Sequence, residues 1–189
     1  MNKNRSNTFM KQQPMKTKLL SEGAFLGLYA RGHWEYAART NCTGAVGILP
    51  ITDNHELILV EQFRIPLQAH VIEIPAGLAG DEAEFSDESL AQTAARELLE
   101  ETGYRAAKIT PLISSPTSPG MTTEMVSFFA ATELTREHNG GGTEQEDIVV
   151  HRVPIAELDP WLHHQQTHGR LVDVKIHACL YLAGQLGLI

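Results

Sequence analysis

Three glutamates, Glu97, Glu100 and Glu101, stand close together near the middle of the chain. Their spacing places them on one side of a helix, within a sector of roughly 100°. Like charges at such spacings repel one another and destabilise an isolated helix, so the pattern indicates a positive partner. Hard divalent cations such as Mg²⁺ bind carboxylate oxygens and share them with water and phosphate. A solvated acidic helix face is the alternative interpretation.

The flanking residues predict a strand, a loop, an acidic helix and a sharp stop. Glu73-Ile74-Pro75-Ala76-Gly77 reads as a short strand that ends in a Pro/Gly break. Ser86 and Asp87 offer a helix start, which predicts a helix over about 87–102. Gly103 stands where a helix stop is expected. The apolar stripe of this helix comprises Ala91, Ala94, Ala95, Leu98 and Leu99.

These residues resemble the Nudix hydrolases, whose box reads G-x5-E-x7-R-E-U-x-E-E-x-G-U, with U an apolar residue. The matching positions are Glu88, Arg96, Glu97, Leu98, Glu100, Glu101, Gly103 and, as a loose match, Tyr104. The box glycine departs from the pattern, which places it at Glu82. Gly77 takes its role if the loop carries five extra residues. The resemblance covers roughly residues 20–187 and implies the Nudix fold.

Other segments are similar to the ADP-ribose pyrophosphatase branch of that family. They are Glu61-Gln62-Phe63-Arg64, Ser118-Pro119-Gly120 and a late glutamate-rich loop. In that branch a proline past the box marks ADP-ribose preference, and Pro119 lies fifteen residues past Tyr104. The resemblance implies a Mg²⁺-dependent pyrophosphatase, with Mn²⁺ as a substitute ion. It would cleave ADP-ribose to AMP and ribose 5-phosphate, and would act on other nucleoside diphosphate sugars.

Two other functions stay open. A hydrolase preferring another sugar nucleotide, such as GDP-mannose, is the nearest alternative. A non-catalytic nucleotide-binding regulatory domain is the alternative from another class. The three clustered carboxylates argue against it, because a pure binder has no need of them.

The resemblance assigns the metal and the catalytic water to particular residues. The metal ligands would be Glu97, Glu100, Glu101 and the carbonyl of Ala76. Glu101 would also be catalytic through the metal, which lowers the pKa of bound water. Glu144 or Glu146, on the loop around Asn139-Gly140-Gly141-Gly142, would orient or deprotonate the water, with Glu144 preferred. The alternative is that these two glutamates only solvate the loop.

Two further charged residues are expected to contact the substrate. Arg64 would bind phosphate, since a guanidinium makes paired hydrogen bonds to phosphate oxygens. A surface salt bridge is its alternative role. Glu73 would contact substrate or a water near the metal, or simply pair with Arg64. Arg96 and Glu88 are interpreted as structural, with Arg96 pairing with Glu100 at i,i+4.

Aromatic residues near the amino terminus suggest a surface for stacking a base. Tyr29, Trp34 and Tyr36 lie in predicted strands, and the resemblance adds Pro119 and Gly120 to the substrate-binding set. In the resembling branch these strands reach a partner subunit, which implies a homodimer. A lone hairpin is marginal in water, which favours the same conclusion. Ordinary half-buried sheet residues are the alternative.

Composition limits the partners. The 15 basic and 23 acidic residues give a net charge of −8, which argues against a nucleic-acid binder. A phosphate substrate must therefore be received by local arginines and a metal. With only two cysteines in the sequence a disulfide framework is not expected, and a cytoplasmic location is the default. No apolar run is long enough for a membrane span, and residues 1–18 lack the apolar stretch of a secretory signal.

The order of elements predicts an α+β domain with a mixed β-sheet between α-helices. A hairpin is expected at Arg31-Gly32-His33, and Ser114 to Pro119 is expected to be a substrate-contacting loop. Further strands are expected at 44–51, 56–63, 70–74, 107–113, 124–132 and 147–153, and helices from about Pro154 and over 172–186. The predicted organisation is a flexible tail (1–18), amino-terminal antiparallel dimerisation strands (19–40) and a Nudix hydrolase domain (41–189).

Overall fold

A computed structural model describes residues 15–80, 83–85, 87–142 and 147–189. The chain divides into two compact units. The amino-terminal unit contains the described residues up to Thr40 together with Ser118–Thr123. The main unit contains Asn41–Thr117 and Glu124–Ile189.

The amino-terminal unit is a three-stranded antiparallel sheet of β1 (Thr17–Glu22), β2 (Leu26–Arg31) and β3 (Trp34–Arg39). The hairpin expected at Arg31-Gly32-His33 is confirmed. The segment Ser118–Thr123 belongs to this unit because it bonds to β3. Ala37 donates its N–H to the carbonyl of Met121 at 2.8 Å, and Thr123 donates to the carbonyl of Ala37 at 3.2 Å.

The main unit holds two four-stranded sheets, in the orders β7-β4-β9-β8 and β10-β5-β6-β11. Their strands are β4 (Gly44–Pro50), β5 (Glu56–Arg64), β6 (Ala69–Glu73), β7 (Ala76–Ala79), β8 (Tyr104–Pro116), β9 (Met125–Arg136), β10 (Ile148–Pro154) and β11 (Leu171–Val172). β4 runs parallel to β9 and β6 runs parallel to β11, whereas the other pairs are antiparallel. The sheets are therefore mixed, as predicted.

The described part of the main unit also contains three α-helices: α1 (Leu90–Thr102), α2 (Leu158–Thr167) and α3 (Lys175–Gln185). Successive side chains of β4 point to opposite faces. Val46 and Ile48 pack with Ala94 and Leu98 of α1, whereas Leu49 lies in the larger core that contains α3. The sheet of β4 thus lies between α1 and α3, which confirms the predicted layer order. No helix in the described chain is long and apolar enough to cross a membrane.

The structure differs from the local expectations at several places. The helix α1 begins after Ser89, not at Ser86 or Asp87. Ser89 and Gln92 form a reciprocal capping box, in which each side chain accepts from the other's backbone N–H. Ser86 lies outside the described residues. Ala91, in the first turn of α1, is exposed.

The loop expected from Ser114 begins later, because β8 continues to Pro116 through pairing with β9. A short 3-10 turn, Ile155–Glu157, precedes α2, which therefore starts after Pro154. The local sequence pattern did not predict the two short strands β7 and β11. Both are defined by pairing with distant strands, β4 and β6.

Candidate active site

The carboxyl end of α1 is held by a glycine-rich loop. Gly103 ends the helix in the left-handed conformation and donates to the carbonyl of Leu99 at 2.8 Å. Gly141 and Gly142 then donate to the carbonyls of Glu101 and Glu100, at 2.8 Å and 3.2 Å. These bonds satisfy carbonyls that a helix end otherwise leaves without a partner. The glycine-rich loop is therefore packed on the acidic end of α1.

Glycine is required in this loop because the backbones approach closely. A Cβ at Gly140 would lie 2.6 Å from the carbonyl oxygen of Glu101, and its φ of 71° also disfavours a side chain. Glu144 and Glu146, the two candidates for activating water, follow this loop in the sequence but lie outside the described residues.

Two of the three clustered glutamates face the start of β7. Glu101 is 6% exposed, and its Oε2 accepts the N–H of Ala76 at 3.2 Å. A Cβ at Gly77 would overlap with the carboxyl group of Glu97. Only glycine lets Glu97 lie against the backbone here, so Gly77 is the residue that fits the role of the box glycine. Glu82 lies outside the described residues.

Arg96 forms ion pairs with three of the nearby carboxylates. Its guanidinium contacts Glu88 at 3.2 Å, Glu97 at 3.0 Å and Glu100 at 2.9 Å. It also lies over the ring of Phe85, 4.4 Å from the ring centre. Burial lowers the pKa of Arg96, but the charge of Glu97, the hydrogen bond to Glu88 and then the charges of Glu100 and Glu88 raise it overall. The pair with Glu100 was expected, and the sharing with Glu88 and Glu97 is additional.

The donor atoms fit a hard divalent cation, although the side chains are turned toward other partners. Among the residues that the structure describes, no three His, Cys, Asp or Glu side chains converge as a metal site. Glu97 and Glu100 contact Arg96, and Glu101 accepts from Ala76. Glu97 nevertheless approaches Gly77 closely, so its carboxylate lies beside the peptide group that joins Ala76 to Gly77 and carries the Ala76 carbonyl. All these donors are oxygen, which is the ligand type that Mg²⁺ prefers.

Arg64 and Glu73 form an ion pair beside the acidic helix. The Arg64 Nε lies 3.1 Å and 3.0 Å from the two carboxylate oxygens of Glu73. Burial lowers the pKa of Arg64, but the hydrogen bond and charge of Glu73 raise it above its ordinary value. The charges of Glu101 and Asp173 raise it further. Pairing with Arg64 was one of the roles considered for Glu73, and the structure shows that pair.

The aromatic candidates lie together in the amino-terminal unit. The rings of Tyr29 and Tyr36 stack with centres 5.9 Å apart, on neighbouring strands. Trp34 is 53% exposed, and Gly120 lies close to its ring, since a Cβ there would be 3.9 Å away. Pro119 and Gly120 are themselves exposed. The expected substrate contacts therefore fall into two groups, one in each unit.

A second charged cluster was not foreseen as a site. Glu61 on β5 is 6% exposed and contacts three basic side chains from other elements. His151 Nε2 lies 3.0 Å away, Arg170 Nε 3.1 Å and His70 Nδ1 3.4 Å. Burial raises the pKa of Glu61, but hydrogen bonds and charges from His151 and Arg170 lower it below its ordinary value. One sequence signal existed, namely an acid directly after the apolar run of β5.

Comparisons with known proteins agree with this geometry. A profile described as the NUDIX domain matches residues 43–173, which is most of the chain. An ADP-ribose pyrophosphatase of Bacillus subtilis is 47% identical over 49% of this chain and 47% of its own length. A methanol dehydrogenase activator of Bacillus methanolicus is 38% identical over 56% of this chain and 55% of its own. The chain thus spans about half the length of these two relatives.

Longer matches exist at lower identity. A GDP-mannose pyrophosphatase of Cronobacter sakazakii is 30% identical over 76% of this chain and 81% of its own. A crystal structure described as an ADP compounds hydrolase superposes with a TM-score of 0.70 at 21% identity, covering 90% of this chain and 91% of that one. That likeness confirms the fold. The matched profile, together with the acidic helix and its glycine at position 77, shows that this chain belongs to the Nudix family.

Proposed function

We propose that this protein hydrolyses the diphosphate bond of nucleoside diphosphate sugars, with ADP-ribose as the first candidate. The observation that carries the proposal is the acidic face of α1, with Glu97 against Gly77 and Glu101 bonded to Ala76. The 47% identity to an ADP-ribose pyrophosphatase supports the choice of substrate. Water would add to one phosphorus and the bridging P–O bond would break. The products would be AMP and ribose 5-phosphate, both as dianions, and two protons.

A divalent cation, Mg²⁺ or Mn²⁺, held by Glu97, Glu100, Glu101 and the Ala76 carbonyl, would polarise a phosphoryl oxygen and lower the pKa of a bound water. Arg96 holds Glu97 and Glu100 on one side of the helix, and so limits how far these carboxylates can move. Either Glu144 or Glu146, with Glu144 preferred, accepts the proton of the attacking water. General-base assistance of this kind typically contributes about 10²–10⁴-fold.

Arg64 binds the diphosphate. Its side chain is 41% exposed and bonds to Glu73 chiefly through one edge of the guanidinium. A guanidinium has five N–H donors, so it can contact phosphate while it keeps its carboxylate partner. Since the protein carries a net charge of −8, such a local cation is needed to attract an anionic substrate. Glu73 then fixes the direction in which Arg64 points.

The aromatic residues of the amino-terminal unit supply the surface for the base. Stacking on an aromatic ring contributes roughly 1–3 kcal/mol per base in single-strand binding. We propose that residues 19–40 pair two copies into a homodimer, and that Tyr29, Trp34 and Tyr36 contribute to the nucleotide pocket of the partner subunit. Pro119 and Gly120 are proposed to contact substrate as well. Exposed apolar side chains in this segment, Phe25 at 67% in the turn before β2 and Leu26 at 50% on β2, support an assembly that covers them. A cytoplasmic location fits this chemistry.

GDP-mannose is the second candidate substrate. The match to a GDP-mannose pyrophosphatase spans 76% of this chain, against 49% for the ADP-ribose pyrophosphatase. A regulatory role without turnover is a third candidate, since one relative is described as a methanol dehydrogenase activator. Such a role leaves the three clustered carboxylates of α1 without a purpose.

Turnover of ADP-ribose, GDP-mannose and other nucleoside diphosphate sugars should be measured with Mg²⁺ or Mn²⁺, and the products identified. We expect AMP and ribose 5-phosphate from ADP-ribose, and no turnover in excess chelator. Glu101→Gln should remove most activity while the protein stays folded. Activity that persists in chelator would contradict the metal assignment, and the absence of turnover on every sugar nucleotide would reject the enzyme.

The homodimer has a separate test by sedimentation at micromolar concentration. Deleting residues 1–14, which precede the first described residue, should leave the dimer and its activity intact. Deleting residues 1–40 should abolish both, or abolish solubility. A full-length protein that sediments as an active monomer would contradict the dimer.

A further inference from the structure

A cleft of about 490 Å³ opens in the main unit beside Glu73. Its walls come from β6, from β11 and from the end of α2, through Val71, Leu171 and Gln166. Known small-molecule pockets have volumes of about 300–1,000 Å³. The cleft is therefore of a size to take one small group.

The cleft adjoins the residue proposed to bind the diphosphate. Glu73 lines the cleft and is also the ion-pair partner of Arg64. Asp173 lines it too, and its charge is close enough to raise the pKa of Arg64, as is the charge of Glu101. Because Glu73 both lines the cleft and bonds to Arg64, Arg64 lies beside the cleft. A group attached directly to a diphosphate at Arg64 would be within reach of this cleft.

The charges on the cleft wall are already matched by partners. Glu73 pairs with Arg64. Asp173 pairs with Lys175, whose backbone N–H it also accepts at 2.8 Å. Arg170 pairs with the buried Glu61 at 3.1 Å. An ionic ligand in the cleft would face this balanced set and gain little, so the cleft favours a neutral polar ligand.

Two hydrogen-bonding groups on the wall remain available to such a ligand. Among the described residues Arg170 has one side-chain partner, Glu61, and that bond uses Nε. The two terminal nitrogens of Arg170 can therefore donate to a ligand. Gln166 makes no side-chain hydrogen bond within the described part of the chain, and its amide can both donate and accept. Leu67, Val71 and Leu171 supply apolar surface beside these groups.

We infer that this cleft holds the sugar of the nucleoside diphosphate sugar, with Gln166 and Arg170 as specificity-determining residues. A sugar ring combines neutral hydroxyl groups, which match the amide and guanidinium, with C–H groups, which match the apolar wall. The inference rests on the proposed function for the identity of the substrate. Beyond that function, it identifies the part of the chain that determines which sugar is bound.

The test compares two substrates that differ only in the sugar: ADP-ribose, and ADP carrying a methyl ester on the β-phosphate. Gln166→Ala should lower kcat/KM for ADP-ribose about three- to tenfold, mainly by raising KM, which is the effect of one lost hydrogen bond. The same substitution should leave kcat/KM for the methyl ester unchanged. His163→Ala, an exposed position on the same helix outside the cleft, is the matched control. Equal losses on both substrates, or no loss on ADP-ribose, would overturn the inference.

Binding separates this inference from the proposed function. In the wild-type protein without divalent cation, ribose 5-phosphate should shift the NMR signals of the Gln166 side-chain amide and of the Arg170 N–H groups. Inorganic phosphate should not. If no sugar nucleotide is hydrolysed but these shifts occur, the proposed enzyme fails and the sugar site stands. If turnover occurs but the shifts map to other residues, the sugar site is wrong and the enzyme stands.

Discussion

The main unit contains two charged clusters of opposite composition. In the Arg96 cluster one guanidinium lies among the carboxylates of Glu88, Glu97 and Glu100. In the Glu61 cluster one carboxylate lies among the side chains of His70, His151 and Arg170. The Glu61 cluster connects β5 with β6, with β10 and with the residue before β11, whereas the Arg96 cluster lies on α1 and just before it. They differ in whether the charges balance.

Among the residues that the structure describes, the Arg96 cluster has more negative than positive charge. One guanidinium cannot neutralise three carboxylates, and Glu101 adds a fourth on the same helix. Side chains of Glu100 and Arg96 are 36% and 16% exposed, so the cluster is partly open to solvent. In the Glu61 cluster Arg170 balances the single carboxylate, whose side chain is only 7% exposed. A group of like charges with too few counterions is typical of a ligand-binding site. Buried charges that are paired with counterions are typical of a structural role.

The largest expected effect is a loss of catalytic activity when one negative charge of the Arg96 cluster is removed. Glu97→Gln keeps the shape of the side chain against Gly77 and removes a proposed metal ligand. We expect kcat to fall about 10²-fold or more, comparable to losing a group that stabilises transition-state charge. The free energy of unfolding without metal should stay the same or rise, because like-charge repulsion falls. Steady-state kinetics and urea unfolding check the two parts. A stable enzyme with wild-type kcat would make this cluster structural.

The next prediction concerns the position of Glu97. Gly77→Ala places a methyl group where the carboxyl group of Glu97 lies, and the flexible glutamate must move. Misplacing a catalytic group by about 1 Å can cost roughly 10²-fold in rate, so a comparable loss of kcat is expected with little change in stability. Gly44→Ala is the matched control on the paired strand β4, because its methyl group meets only Leu90, at 3.1 Å. Equal activities of the two variants would contradict the role of Gly77.

The features of the Arg96 cluster that depend on local sequence could be predicted. The acidic face of α1 depends on spacing within one helix, and Gly103 depends on local backbone preference, so both were predictable. The hairpin and most strands also follow from local patterns. The resemblance to the Nudix box added the proposal of which side chains bind a metal. It did not locate the helix start, because Ser86 and Ser89 offer similar local signals and only the pairing with Gln92 distinguishes them.

The remaining features depend on contacts between distant residues. Glu61 contacts His151 and Arg170 across 90 and 109 residues of sequence, and no local pattern encodes those contacts. The close approach of Gly77 to Glu97 needs the fold of the intervening loop. The glycines at 140–142 were read as a loop, but their packing on the carbonyls of α1 is a tertiary contact. The cleft beside Glu73 is formed by elements far apart in the chain.

A smaller effect, on stability instead of turnover, is expected from the Glu61 cluster. Glu61→Gln removes the charge that Arg170 and the two histidines contact, and leaves Arg170 without a counterion. Hydrogen bonds to charged groups contribute about 1.5–3 kcal/mol, so the free energy of unfolding should fall by roughly that amount. The kcat for ADP-ribose should change little. Urea unfolding beside the kinetics of Glu97→Gln checks the contrast. If Glu61→Gln instead abolishes turnover at unchanged stability, the two clusters have been assigned the wrong way round.

The smallest effect is the pH dependence of that difference in stability. Contacts with His151 and Arg170 outweigh burial, so the pKa of Glu61 in the folded protein lies below its ordinary value of 4.5. A carboxyl group with a depressed pKa stabilises the fold above its unfolded pKa, and that contribution is lost as the pH falls through the folded pKa. The unfolding free energies of the wild type and Glu61→Gln should therefore differ by a constant amount just above about pH 4.5 and converge below it. Urea unfolding from about pH 3 to about pH 6 measures this directly. A gap that widens on acidification would mean that Glu61 has a raised pKa, and that burial outweighs its basic partners.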